Sequence, residues 1–149
     1  HDQRYVLVNE TGSYRVIRYW ITEPKKGQSE TLIGSLPSFP DNISAGHDGR
    51  FWVALVSPRN PLLDKLADKP FMRKVIQRMP AFMRPQAVAY GHIIAIDETG
   101  LVVEDLQDPD GGYPINTSVT ETKDYLYIGS LVAPVLGRID KNKMGLRNR

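Results

Sequence analysis

Asp41 and Asn42 sit side by side behind two prolines in Leu36-Pro37-Ser38-Phe39-Pro40-Asp41-Asn42-Ile43. Together they offer a carboxylate and an amide oxygen. Hard oxygen donors suit calcium, which gathers roughly six to eight oxygens. Asp and Asn after proline are equally turn formers whose side chains bond nearby backbone, and at the level of these two residues both readings stand. The other reactive side chains form no array. His1 and His47 fall in matching turns, and His92 lies in a strand-like run where a half-buried or edge residue is expected rather than a base. Ser118 and Ser130 lack the glycine-flanked elbow of a serine nucleophile. Asp108-Pro109-Asp110-Gly111-Gly112 has neither the lysine of a phosphate-binding loop nor the ligand spacing of an EF-hand. With no cysteine in 149 residues, thiol nucleophiles, disulfides and cysteine-based zinc sites are excluded, while the compartment stays open. No catalytic residue and no organic cofactor site is assigned.

A repeat positions these residues. His1-Asp2-Gln3-Arg4-Tyr5-Val6-Leu7-Val8 returns 46 residues later as His47-Asp48-Gly49-Arg50-Phe51-Trp52-Val53-Ala54. A weaker third copy, Lys123-Asp124-Tyr125-Leu126-Tyr127-Ile128-Gly129, follows 74 residues on. Each is a turn leading into an aromatic and β-branched run, which reads as a strand. Partner strands are expected at Tyr14 to Trp20, His92 to Asp97 and Val135 to Asp140. Closing strands are expected at Ser29 to Leu36 and Leu101 to Leu106, and opening ones at Asn42 to Ala45 and Ser118 to Glu121. Four short strands in about 46 residues, repeated in tandem, is the signature of a β-propeller blade; a parallel β-helix needs shorter repeats. Counting strands outward from the propeller axis, the order is second-third-fourth, then first to fourth, then first-second-third. The fold class is therefore all-β, a partial propeller of about two and a half blades and ten strands. The blades divide as 1–37, incomplete; 38–109; and 110–142, incomplete; a basic tail covers 143–149. Trp20 and Trp52 are expected in the core between blades. Such a chain leaves strand edges open, so its expected partners are the remaining blades or another copy of itself. A sheet assembly that caps its own ends is the alternative.

The second blade carries a helical insertion at 58–86. Asn60-Pro61 reads as a helix cap followed by proline at the first helical position, with a short helix through about Ala67. A second helix follows Pro70, with Phe71, Met72, Val75, Ile76 and Met79 at helical spacing and Arg73, Lys74, Gln77 and Arg78 on the other side. Between Arg59 and Arg84 there are seven basic and two acidic residues. That segment is thus net +5 in a chain of net +2, leaving −3 for the rest. The overall balance gives no reason to expect a nucleic-acid partner. The insertion is either a cap with a solvated basic face, or a lid or anionic-membrane contact through Phe71, Arg73, Lys74 and Arg78. The longest apolar run is far too short to span a bilayer, and 41% hydrophobic with 24% charged residues is a globular composition.

Four stretches carry a resemblance: Glu10-Thr11-Gly12-Ser13-Tyr14-Arg15-Val16-Ile17-Arg18-Tyr19-Trp20, Leu36 to Ile43, Asp48-Gly49-Arg50-Phe51-Trp52-Val53-Ala54-Leu55, and Tyr125-Leu126-Tyr127-Ile128-Gly129-Ser130-Leu131. In this order they resemble the strictosidine synthase-like family, relatives of the gluconolactonase/regucalcin proteins and the paraoxonases. The resemblance runs from about Arg4 to Ile139. It implies a six-bladed propeller of which this sequence matches the C-terminal part, and a calcium or other divalent ion in the central channel. Asp41-Asn42 matches the Asp-Asn ligand pair of the paraoxonases. The remaining ligands belong to earlier blades, so weak or absent metal binding is expected of this chain alone. The plant synthases use a glutamate before the last repeat, where this chain has Gly111-Gly112-Tyr113-Pro114-Ile115-Asn116-Thr117; Glu121 comes too late to match.

The function these readings favour is part of a divalent-metal-dependent hydrolase of lactones or esters, with a small-molecule substrate. A non-catalytic binding or membrane-associated propeller is the alternative, and amine–aldehyde condensation ranks below both. The resemblance alone suggests a secretory, periplasmic or membrane-associated setting.

Overall fold

The computed structural model describes residues 3–66, 69, 71, 74–75, 78–80 and 88–144. Ten strands form three antiparallel sheets, arranged as a partial propeller with no closure between the first and last sheets. The first sheet is β1 (Tyr5–Glu10), β2 (Arg15–Trp20) and β3 (Ser29–Ile33). The second is β4 (Ser38–Ala45), β5 (Phe51–Pro58), β6 (Gly91–Ile96) and β7 (Val102–Asp108). The third is β8 (Asn116–Glu121), β9 (Tyr125–Ser130) and β10 (Gly137–Asp140). The strand order within each sheet is the one the repeat predicts. Among the described residues no helix is long and apolar enough to cross a membrane.

The second sheet is covered on both faces, and its sequence shows why. Successive side chains of a strand point to opposite sides. In β5, Phe51, Val53 and Leu55 enter one core while Trp52 and Ala54 enter the other. In β6, Ile94 and Ile96 join the first group and Ile93 and Ala95 the second. The first core is completed by Tyr14, Val16 and Leu36 around the first sheet, the second by Val119, Leu126 and Ile128 of the third. Uninterrupted apolar runs such as Phe51-Trp52-Val53-Ala54-Leu55 are what two-sided burial demands. By contrast, β7 alternates exposed and half-buried positions, as befits an outer strand. Trp52 is fully buried between sheets as expected; Trp20 is not. It packs edge-on to Tyr5 at 5.4 Å, with the Lys25 ammonium 4.7 Å from its ring, on the surface of the first sheet.

Strand ends depart from expectation in an informative way. β4 begins at Ser38, four residues before the expected Asn42, because Pro40 is accommodated at irregularities in its pairing with β5. β3 stops at Ile33 rather than Leu36, since Ser35 takes a positive φ of 54° and Leu36 N instead donates to Tyr14 O. β10 starts at Gly137, not Val135, because the Tyr113 hydroxyl donates to Val135 O and receives Gly137 N. The first insertion helix, α1, is shorter than expected and spans Pro61–Lys65. Phe71, Lys74, Val75 and Arg78 also carry helical backbone. His1, Arg73 and residues 145–149 lie outside the described residues.

Two glycines with left-handed backbone separate conformational strain from steric contact. Gly27, φ +82°, has open space around its Cα, whereas a Cβ on Gly100, φ +88°, would lie 2.1 Å from the Leu32 carbonyl oxygen. Gly27→Ala should therefore destabilise by about 1 kcal/mol from backbone strain alone. Gly100→Ala should lose about 3 kcal/mol, because overpacking adds to strain. Urea unfolding of the two variants checks this difference.

Candidate functional site

The site is built on β4, the innermost strand of the second sheet, and its neighbours β1 and β8. Asn9 of β1 donates from Nδ2 to Asp41 O at 2.8 Å. Asn42 donates from Nδ2 to Thr117 O of β8 at 2.7 Å, and the Ser44 hydroxyl donates to Val119 O. These contacts run at a constant offset, so β4 and β8 point the same way and are cross-linked by side chains instead of a backbone ladder. Asp41 and Asn42 therefore lie inside a strand, and Asn42 reaches a neighbouring blade; the local-turn reading is overturned by the early start of β4.

Asp41 is half-buried, and among the described residues its carboxylate has neither a hydrogen-bond donor nor a cationic partner. Burial alone pushes its pKa above the ordinary 3.8. Close by in the chain packing, Asn9 Oδ1 is a buried acceptor with no partner. Buried acceptors are ordinarily satisfied. An uncompensated carboxylate, an orphaned amide oxygen and the Oδ1 that Asn42 retains make an oxygen-rich set, which fits a hard cation such as calcium. The described residues hold no group of three His, Cys, Asp or Glu side chains able to take a metal. A cation here would therefore rest on amide and carbonyl oxygens beside one carboxylate, with further donors coming from outside this set. Asn9 was not singled out from sequence; a polar residue at an inward position of an otherwise apolar strand is the signal that could have found it.

The insertion is anchored at both ends over the same end of the sheets. At its start, Arg59 donates from N to Pro37 O at 3.1 Å and from Nε to Leu36 O at 2.9 Å. Its guanidinium stacks 4.1 Å from the centre of the Tyr14 ring, and the Tyr14 hydroxyl donates to Asp64 at 2.6 Å. At its exit, Val88 N donates to Ser57 Oγ at 3.3 Å and Tyr90 O accepts Ile115 N at 3.1 Å. The segment thus enters against the first sheet and leaves against the third, above the end of β4 nearest Asp41. Phe71, Lys74 and Arg78 are exposed.

Two buried polar clusters lie elsewhere. His92 is buried within a central strand, not half-buried or at an edge: its Nε2 faces Asp105 Oδ1 at 2.9 Å and its Nδ1 faces the buried Ser38 hydroxyl at 3.4 Å. With Nε2–H donating to the carboxylate, Nδ1 is left to accept from the serine hydroxyl. Ser38 has no access to a substrate, so this chain of contacts ties three strands together without the reach of a nucleophile. Glu121 is the second cluster. Its carboxylate, almost fully buried, accepts from Lys141 Nζ, from Trp52 Nε1 at 2.8 Å and from His47 N at 3.0 Å. Burial favours its neutral form, but these donors and the Lys141 charge outweigh that and hold its pKa below the ordinary 4.5. A groove of about 560 Å³ lies between the outer strands of the second and third sheets, lined by Leu106, Tyr113 and Ile139. It does not reach Asp41.

No family model matches the chain. Among curated proteins it is 36% identical over 115 residues to strictosidine synthase-like 13 of Arabidopsis thaliana, covering 74% of this chain and 28% of that protein. Strictosidine synthase-like 10 of the same plant is 33% identical over 148 residues, 93% of this chain and 39% of its own length. The adipocyte plasma membrane-associated protein of Bos taurus is 33% identical over 146 residues, 91% of this chain and 34% of its own length. The chain therefore spans well under half the length of these relatives.

Glu121→Gln keeps an acceptor for Trp52 and His47 but leaves the Lys141 ammonium buried without a counter-charge, and should destabilise by about 3 kcal/mol at neutral pH. Because the folded-state pKa of Glu121 is depressed, its charge stabilises above the unfolded value, and that contribution disappears as pH falls through the folded one. Urea unfolding from pH 7 to pH 3 should therefore show the gap between wild type and variant closing on acidification.

Proposed function

The chain belongs to the strictosidine synthase-like family, and from that premise we propose that it supplies one wall of a divalent-metal site hydrolysing lactones or esters. The observation that carries this reading is the Asp41 carboxylate, half-buried and uncompensated among the described residues, on an innermost strand. A fold does not normally leave a carboxylate desolvated without a partner unless the site has a use for the charge. Calcium bound there would supply Lewis-acid polarisation of the scissile carbonyl. The roles of the chain's own residues follow from their contacts. Asp41 provides the negative charge that holds a cation. Thr117 O fixes the Asn42 amide nitrogen, so that its Oδ1 is the atom left to face outward. The Asp41 carbonyl likewise fixes the nitrogen of Asn9. The insertion starts at this same end of the sheet, where Arg59 bonds Leu36 and Pro37 and Asp64 accepts from Tyr14. The small-molecule ester or lactone, the metal and the blades completing the ligand set are all parts of this proposal. Condensation of an amine with an aldehyde is disfavoured: Gly111 to Thr117 contain no carboxylate, and Glu121 is saturated by three donors.

In the full-length protein, Asp41→Ala should reduce calcium-dependent hydrolysis of a lactone or aryl ester at least about 100-fold. It should also weaken calcium binding measured by titration calorimetry. Thermal stability should not fall, since the carboxylate removed is unpaired and desolvated. Hydrolysis and calcium affinity at wild-type level would remove Asp41 from the site.

A further inference from the structure

Three stretches of the chain have the Asn-x-Ser/Thr pattern of an N-glycosylation acceptor: Asn9-Glu10-Thr11, Asn42-Ile43-Ser44 and Asn116-Thr117-Ser118. An asparagine that carries a glycan has to present its amide nitrogen to solvent, which is why such acceptors belong on surface loops. Here all three fall inside strands: β1, β4 and β8. Asn9 and Asn42 each commit an amide hydrogen to a carbonyl, that of Asp41 at 2.8 Å and that of Thr117 at 2.7 Å.

Asn116 is the decisive position. It opens β8, is 4% exposed, and joins the third sheet to the second. Its Oδ1 accepts His92 N of β6 at 2.7 Å, and its Nδ2 donates to Tyr113 O at 3.0 Å. Gly91 is pressed against the same group: a Cβ there would lie 3.3 Å from Asn116 Oδ1 and 2.8 Å from Tyr113 O. Packing this close leaves no room for a sugar ring on Nδ2. The groove that Asn116 borders is lined by Ile93, Leu106 and Ile128, side chains against which a hydrated sugar is poorly placed. A glycan attached there before folding would have to be buried, or would hold the amide out of its place. In the second case His92 N, in a strand buried along its whole length, loses its acceptor.

We infer that glycosylation of Asn116 and completion of the fold exclude each other, so that this protein matures where Asn-x-Ser/Thr sequences are not glycosylated. These sequences are read on the unfolded chain, and burial in the finished structure therefore gives no protection. A chain entering a glycosylating compartment is modified first and trapped afterwards, between the second and third sheets. The secretory setting that the resemblance alone suggests is narrowed to routes that bypass such a compartment. The inference rests on the packing of β6 against β8 and stands independently of the hydrolase reading.

The full-length protein, directed into the endoplasmic reticulum of a yeast host by an added cleavable signal sequence, provides the test. Thr11→Ala and Ser44→Ala silence the other two acceptors and serve as the common background. Adding Ser118→Ala removes the acceptor pattern at Asn116 and leaves the contacts of that asparagine in place. The background chain should be retained in the cell with a glycan at Asn116, located by peptide mass spectrometry after glycosidase treatment. Ser118→Ala should raise the secreted yield at least about fivefold. Both chains made in a bacterial cytoplasm should be equally soluble and unfold at the same urea concentration, which separates the effect of the glycan from any effect of the substitution itself. A secreted, cooperatively unfolding protein with a glycan at Asn116 would overturn the inference. So would equal secretion of the two chains.

Discussion

The residues of β5 and β6 have to satisfy two cores at once, and most of the architecture follows from that requirement. Phe51, Val53, Leu55, Ile94 and Ile96 serve the interface with the first sheet; Trp52, Ala54, Ile93 and Ala95 serve the interface with the third. Since the side-chain period is two, a slip of one residue in either strand would exchange the two sets and place the Trp52 indole where Val53 now fits. Register is consequently over-determined, and the outer sheets can be incomplete without losing their orientation. Glu121 secures the same arrangement electrostatically: one carboxylate collects Trp52 of the second sheet, the turn at His47 and Lys141 beyond β10. Gly46 is small for this reason, since a Cβ there would come within 2.5 Å of Glu121 Oε2.

Toward the innermost strands the chemistry changes. Apolar packing gives way to side-chain amides and hydroxyls reaching neighbouring carbonyls, as Asn9, Asn42 and Ser44 do. These contacts satisfy backbone acceptors that have no ladder partner, and they leave room for polar groups that a packed core would exclude. Glu121 and Asp41 show the two outcomes open to a desolvated carboxylate. Glu121 is surrounded by donors and its pKa falls; Asp41 has none among the described residues and its pKa rises. The first is a structural device. The second is a local weakness that the rest of the sheet must offset, which is the pattern expected where a site is kept ready for a ligand.

Position at one end of the strands gives the insertion its importance. Its two described ends are bonded toward the first and third sheets, at one end of the second blade. Asp41 lies a few residues below that end, and the apolar 131–136 loop lies at the same level. Asp41, the ends of the insertion and the apolar loop are therefore grouped by topology, since connections between second and third strands emerge on one side.

The amino-acid sequence by itself determined the strand order and the blade phase, because a repeat of about 46 residues and the two-residue period are local properties that survive without coordinates. It also marked Asp41-Asn42 and the basic insertion. What the sequence left open depended on contacts between residues far apart. Whether Asp41-Asn42 formed a turn or a strand was decided by Pro40 fitting into irregular β4–β5 pairing. The burial of His92 was decided by Ser38 and Asp105 lying on either side of it, 54 and 13 residues away. Glu121, 74 residues from His47 and 20 from Lys141, looks in sequence like an ordinary polar residue at a strand end. The same holds for Asn9, whose partner at Asp41 lies 32 residues away. Periodicity reports which face a residue occupies; only packing of one sheet against the next decides which polar groups meet across it and which are left without a partner.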